Sequence, residues 1–123
     1  MVEVDGIRIA HLGDNGPLTD QVKKAVGKVD ILMLPADGDQ HILKNDEAIE
    51  FIDAFEPKVQ IPMHYCIPEL QPEGKCPGGL LPIANPLNED VKINQLTSNM
   101  VEVTKGTLPQ SPEYWIFQPS DLI

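Results

Sequence analysis

Residues 29–35 read Val-Asp-Ile-Leu-Met-Leu-Pro, and beyond the aspartate the run is apolar without polar alternation. A strand with one wet face alternates. A strand that stays apolar at successive positions is buried on both faces, as parallel strands between helices are. The flanks agree with that reading. Upstream, "TDQVKKAVG" predicts a helix: Thr19 can cap it, Asp20 suits its first turn and Gly27 can stop it. Val22, Ala25, Val26 and Val29 recur at i, i+3, i+4 and i+7, which predicts one buried stripe, with Val29 at or past the helix end. Downstream, "NDEAIEFIDAFEP" predicts a second helix, capped by Asn45 or Asp46, facing the core with Ala48, Ile52 and Phe55, and followed by Pro57. "KVQIPMHY" predicts the next strand. With the opening segment, the order strand–helix–strand–helix–strand argues for two βαβ units and a mostly parallel sheet, hence the α/β class.

The first strand is the second arm of a hairpin. Asp5-Gly6 is a two-residue turn signal, because a type I′ turn needs positive φ at both central positions. Val2, Val4, Ile7 and Ile9 supply the alternation around it. Residues 66–88 change character: six of the twelve prolines lie between Pro62 and Pro86. That stretch is loop chemistry too long for a simple connector, and it predicts a mobile segment or a lid over the site edge. Beyond it, "NEDVKINQL" predicts a short helix, while "MVEV" and "YWIFQ" predict late strands. A chain of 123 residues makes one domain, residues 1–123, with a real core.

Nine basic side chains against nineteen acidic ones leave a net charge of −10. Such a surface repels phosphate backbones and anionic lipid, so nucleic acid and membranes are not expected partners. No apolar run approaches the ~18 residues of a membrane span, and charges run through "MVEVDGIRIA", unlike a signal peptide. The expected location is therefore cytoplasmic, with Cys66 and Cys76 as reduced thiols. The sequence carries no Gly-x-Gly-x-x-Gly, Walker or Gly-x-Ser-x-Gly pattern, so nucleotide binding and serine hydrolysis have no support.

Parallel sheets bind ligands beyond the carboxyl ends of their strands. The first strand runs into "AHLGDNG", offering His11 and Asp14. The second runs into "LPADGD", offering Asp37 and Asp39, and the third into "PMHY", offering His64. Carboxylates and imidazoles gathered on one edge make a hard-to-borderline metal environment. Spacing alone also allows plainer roles. Asp14 and Asp37 suit turns, His64 suits a hydrogen-bonded structural histidine, and His41 suits a solvated loop. Cys66 and Cys76, with nine residues between them, match no common zinc spacing.

Taken together, "GIRIAHLGDNGPLTDQV", "VDILMLPADG" and "AIEFIDAFEPKVQIPMHY" resemble the C-terminal half of the metallo-β-lactamase superfamily. The similar branch is the one holding ascorbate-6-phosphate lactonase-like proteins and zinc-dependent hydrolases. The resemblance implies one half of an αββα sandwich with a mixed sheet. It implies that the Gly-Asp aspartate, here Asp14, bridges two metal ions. It implies that the Pro-x-His histidine, here His64, completes the second site. His11 belongs to the same motif and is a third metal candidate. Zinc is the implied cofactor, with manganese or iron as alternatives. The implied reaction is attack of metal-activated water on a carbonyl, lactone or phosphoester centre of a small molecule. The chain departs from the pattern at Pro17, where this branch often has a second histidine, and at "PADG", where it tends to have Pro-Val-Gly-Gly. It also has no His-x-His-x-Asp-His, which the N-terminal half would supply. The implied chain is thus inactive by itself and can be metal-free, completed by a separate N-terminal half or paired in a homodimer. A non-catalytic binding or assembly module and one chain of a split hydrolase are the alternatives.

Overall fold

The computed structural model describes residues 1–36, 42–76 and 91–120. Its strands are β1 (Val2–Val4), β2 (Ile7–His11), β3 (Ile31–Pro35), β4 (Val59–Met63), β5 (Lys92–Gln95) and β6 (Glu113–Ile116). Its helices are α1 (Asp20–Val26) and α2 (Asn45–Phe55), with two short 3₁₀ turns at Pro68–Leu70 and Pro72–Gly74. One sheet runs β1-β2-β3-β4-β6-β5. Among the described residues only the β1–β2 pair is antiparallel; β2, β3, β4, β6 and β5 are joined by parallel pairings. The hairpin turns where the sequence places it: Asp5 has φ +49° and Gly6 φ +76°, as a type I′ turn requires.

The two faces of the sheet bury different sets of side chains. On one face, Ala10, Leu12, Leu32 and Leu34 pack against Ala48, Phe51, Ile52 and Phe55 of α2. Phe51 and Phe55 meet edge to face, 5.7 Å between ring centroids. On the other, Ile7, Ile31, Val59 and Trp115 pack with Leu108, joined by half-buried Ile9, Ile61, Leu96, Val103 and Phe117. The apolar run of β3 therefore serves both cores, Leu32 and Leu34 on one side and Ile31 on the other. The buried Trp115 indole N–H donates to Glu113 Oε2 at 2.7 Å. That bond, outweighing partial burial and helped by Asn94 and Lys92, holds the Glu113 carboxyl below the usual carboxylate range.

Several local expectations change. Helix α1 starts on Thr19 and stops at Gly27 as anticipated, but it is a rim helix: Val22 and Val26 are half-buried and Ala25 is exposed. The cap of α2 is Lys44, whose N–H donates to Glu47 Oε2 at 2.8 Å. The short helix expected in "NEDVKINQL" is instead strand β5 over Lys92–Gln95, because pairing with β6 decides the backbone of a half-polar edge segment. "MVEV" is not a strand. It lies in the crossover from β5 to β6, and Val103 and Leu108 of that crossover press on the second sheet face. "YWIFQ" does form a strand, lying in the sheet beside β4 rather than over its face. Cys66 and Cys76 form a disulfide with Cα atoms 5.7 Å apart, which corrects the reduced-thiol expectation. The spacing gave no zinc motif, and a turn-rich loop brings the two sulfurs together instead.

At the amino ends of the strands, Asp30 ties the sheet together. Arg8 N–H donates to its Oδ2 at 2.9 Å, and Asp30 N–H returns to Arg8 O at 2.8 Å. Lys105 Nζ reaches both carboxylate oxygens, at 2.9 and 2.7 Å, anchoring the crossover. Burial works to raise the Asp30 pKa, but the Arg8 N–H and the Lys105 ammonium outweigh it and hold it below the ordinary aspartate value. A depressed carboxyl pKa stabilises the fold fully above the unfolded value near pH ~4 and loses that contribution as pH falls through the folded value. Asp30→Asn should cost about 1–3 kcal/mol at neutral pH, because hydrogen bonds to a charged group are lost while Lys105 stays solvated. Urea unfolding checks this: the gap between wild type and variant should shrink below about pH 4. A gap unchanged down to about pH 2, below the unfolded value, would remove the charge from the account.

Candidate functional site

Strand register fixes what meets at the carboxyl edge. His11 pairs with Met33 and Met33 with Ile61. Pairing continues past the strand ends, with Leu12 N–H donating to Met33 O at 3.0 Å and Ala36 N–H to Met63 O at 2.9 Å. Three positions beyond the His11–Met33–Ile61 row come Asp14, Ala36 and His64. With strands ~4.8 Å apart, the ends of β2 and β4 stand roughly 10 Å from each other across β3. Asp14 and His64 are both exposed there.

Asp14 sits in a turn. Asn15 N–H and Asn15 Nδ2 both donate to Leu12 O, at 3.2 and 2.6 Å, and Gly13 turns the chain with φ +56°. His11 Nδ1 accepts the Gly13 N–H at 3.0 Å, which puts the proton of the neutral imidazole on Nε2, so His11 would have to give up this bond to ligate a metal. By strand alternation His11 follows Ile7 and Ile9 onto the second sheet face. The turn role and the metal role of Asp14 are compatible, since the turn is built from backbone and Asn15 atoms.

His64 directly follows β4, with φ +58°. A side chain in the left-handed region costs about 1–3 kcal/mol, and such residues concentrate at functional sites. Two substitutions isolate that cost, because both delete the imidazole. His64→Gly should be more stable than His64→Ala by about 1 kcal/mol. Equal thermal midpoints for the two variants would show that the backbone there is unstrained.

A carboxylate and an imidazole are the donor types zinc takes, but a closed tetrahedral site needs four donors. Among the described residues, no group of three or more His, Cys, Asp or Glu converges on one point. The edge fits the metal in the kind of donor it offers and falls short in number. Asp37, Asp39 and His41 lie outside the described residues.

Beside His64 the edge opens into a cleft of about 570 Å³. Tyr65, Ile67 and Glu69 line one wall, and Gln95, Ile116 and Gln118 line the other. Burial pushes the Tyr65 phenol pKa up, so at neutral pH it is a hydroxyl that can donate. The far wall escaped the sequence reading. The available signal was that "YWIFQP" is a parallel strand whose carboxyl end points to the same edge. On the second face, Ile7, Ile9, Met33, Ile61 and Val101 line a groove of about 570 Å³.

A model of the Beta-lactamase superfamily domain matches residues 1–64. A UPF0173 protein of Pyrococcus abyssi is 38% identical over 58 residues, 47% of this chain and 27% of that protein. A UPF0173 metal-dependent hydrolase of Archaeoglobus fulgidus is 35% identical over 66 residues, 53% of this chain and 28% of that protein. The crystal structure of a candidate Zn-dependent hydrolase of the metallo-β-lactamase superfamily from Thermotoga maritima superposes with a TM-score of 0.71 at 29% identity. That superposition covers 94% of this chain and 55% of the other. The chain thus spans under a third of the curated relatives it matches.

Proposed function

Because the chain belongs to the β-lactamase superfamily, we propose that it is the C-terminal portion of a metal-dependent hydrolase acting on a small molecule. In this reading residues 1–123 are a single domain in the cytoplasm. Asp14 would be a ligand shared by two metal ions, His64 would be a ligand of the second, and His11 would be a further candidate donor. Zinc is the metal, with manganese or iron as alternatives. The register that sets Asp14 and His64 three positions beyond one row of the sheet carries the reading.

A bound metal would polarise the substrate oxygen and make water nucleophilic at neutral pH. The chain's own residues do the rest. An ionised Asp14 only accepts and adds negative charge where cations must collect. The left-handed backbone at His64 sets where its imidazole leaves the sheet. Tyr65 offers a hydroxyl to a substrate in the cleft, and Ile67 and Ile116 offer it apolar surface from the two walls.

A segment carrying His-x-His-x-Asp-His would supply the further donors, as the partner chain of a split hydrolase does. The test is to co-express the chain with a segment carrying His-x-His-x-Asp-His. Zinc-dependent hydrolysis of an ester or lactone should appear and vanish in both Asp14→Ala and His64→Ala. Turnover that survives both substitutions would refute the assignment. A non-catalytic assembly module is the second reading. It is favoured by the absence of a three-donor group among the described residues. It would show in a complemented pair that forms a stable complex without turnover.

A further inference from the structure

We propose that the Cys66–Cys76 disulfide is a thiol–disulfide exchange site for a dithiol reductase, placed so that its redox state sets the wall of the cleft beside His64. Cys66 follows His64 by two residues, and the bond closes the loop over a separation of 10 residues. Cys66 itself lines the cleft, together with Ile67 and Glu69 from the same loop, opposite Gln95, Ile116 and Phe117. The cross-link therefore fastens one wall of the cavity that adjoins the sheet edge. In a reducing compartment structural disulfides are rare and those that form are transient or sensing.

The two sulfurs are not equivalent. Cys66 is 3% exposed and sits in an isolated β-bridge, anchored to the body of the fold. Cys76 is half-buried at the far end of the loop, after exposed Glu73, Gly74 and Lys75. An incoming thiolate reaches Cys76 Sγ more easily, and the exchange follows from that. The reductase thiolate attacks Cys76 Sγ, the Cys66–Cys76 bond breaks, and Cys66 leaves as a thiolate that takes a proton. The second reductase thiol, as its thiolate, then attacks its own partner sulfur in the mixed disulfide and releases Cys76 as a thiolate, which is protonated in turn. Two electrons pass from the reductase dithiol, which becomes a disulfide, and two protons end on Cys66 and Cys76.

Reduction should matter to the loop because three of its backbone hydrogen bonds are local. Leu70 N–H donates to Ile67 O, Gln71 N–H to Pro68 O and Gly74 N–H to Gln71 O, each spanning three residues. Glu73 is held at φ +64°, where a side chain is disfavoured, and Gly74 follows at φ +66°. A loop of this kind relaxes when its cross-link is cut, and the wall next to His64 moves with it. This inference is independent of whether His64 binds metal.

The experiment compares two redox states of the same unmodified chain. Thioredoxin is the dithiol probe and dithiothreitol at equal concentration the small-molecule control. Expected results are reduction at least tenfold faster by thioredoxin and a mixed disulfide on Cys76 when thioredoxin lacks its resolving cysteine. Tryptic cleavage after Lys75 should also be at least tenfold faster in the reduced state, with a shift of the His64 imidazole resonances. Reduction no faster than by dithiothreitol, or a mixed disulfide on Cys66, would overturn the exchange site. Unchanged cleavage and His64 resonances after complete reduction would overturn its link to the cleft.

Discussion

The isolated chain is expected to show no hydrolysis of ester, lactone or phosphodiester substrates above the metal-ion blank, whether supplied with Zn²⁺ or Mn²⁺. The reason is a count of donors. Among the described residues, His11, Asp14 and His64 are the candidates the carboxyl edge presents, and the register spreads them over β2 and β4. Two ions in a hydrolytic pair need about three protein donors each, about six in all, so this set of three cannot fill both sites. Catalysis of the two-metal kind depends on both ions clamping attacking and leaving oxygens, and rate enhancements of ~10⁶ or more depend on that arrangement. Complementation should therefore act as a switch. Asp14→Ala and His64→Ala should leave the isolated chain's blank-level signal unchanged and abolish the complemented activity. Turnover by the pure chain, lost in both variants, would mean that the chain gathers its own donors.

The parts of the fold legible in the sequence were those decided locally or by burial on two faces. The Asp5-Gly6 turn, the Thr19 and Gly27 ends of α1, and the apolar runs of β3 and β4 carry their own signals, and each forms where expected. The misread parts depend on partners distant in sequence. Lys92–Gln95 is a strand because β6, some twenty residues on, offers it a parallel edge. "MVEV" has strand composition, yet it crosses the sheet because Val103 and Leu108 find apolar partners on the second face. The Cys66–Cys76 bond depends on two successive 3₁₀ turns whose signal is only proline spacing. For the site, the motifs named Asp14 and His64, and the structure adds the register that aligns them. Spacing could not reveal that His64 would stand at positive φ, nor that the end of β6 would complete a cleft.

The second sheet face sets the other large expectation, a reversible homodimer in the absence of a complementing chain. Ile7, Ile31 and Trp115 are already buried on this face beneath the crossover. What remains outward are the groove and its rim, with Val4 54%, Met100 77% and Val101 42% exposed. A face of this kind on a twofold axis meets its own copy with the same residues from both sides. Three half-exposed side chains from each copy gain only about 1 kcal/mol apiece when covered, far less than a fully bare sheet would. Set against the cost of association, that makes the expected dimer weak, with a dissociation constant no tighter than about 10 μM. The crossover has already taken the better half of the apolar surface. Sedimentation equilibrium should show the mass rising from 13.6 kDa toward twice that value with concentration. Met100→Asp combined with Val101→Asp should weaken association at least about 100-fold, because each copy would bring two carboxylates against an apolar groove. Both positions are exposed, so the variant should keep the thermal midpoint of the parent. A monomer at millimolar concentration, or a dimer indifferent to the two aspartates, would mean that this face is closed by the chain alone.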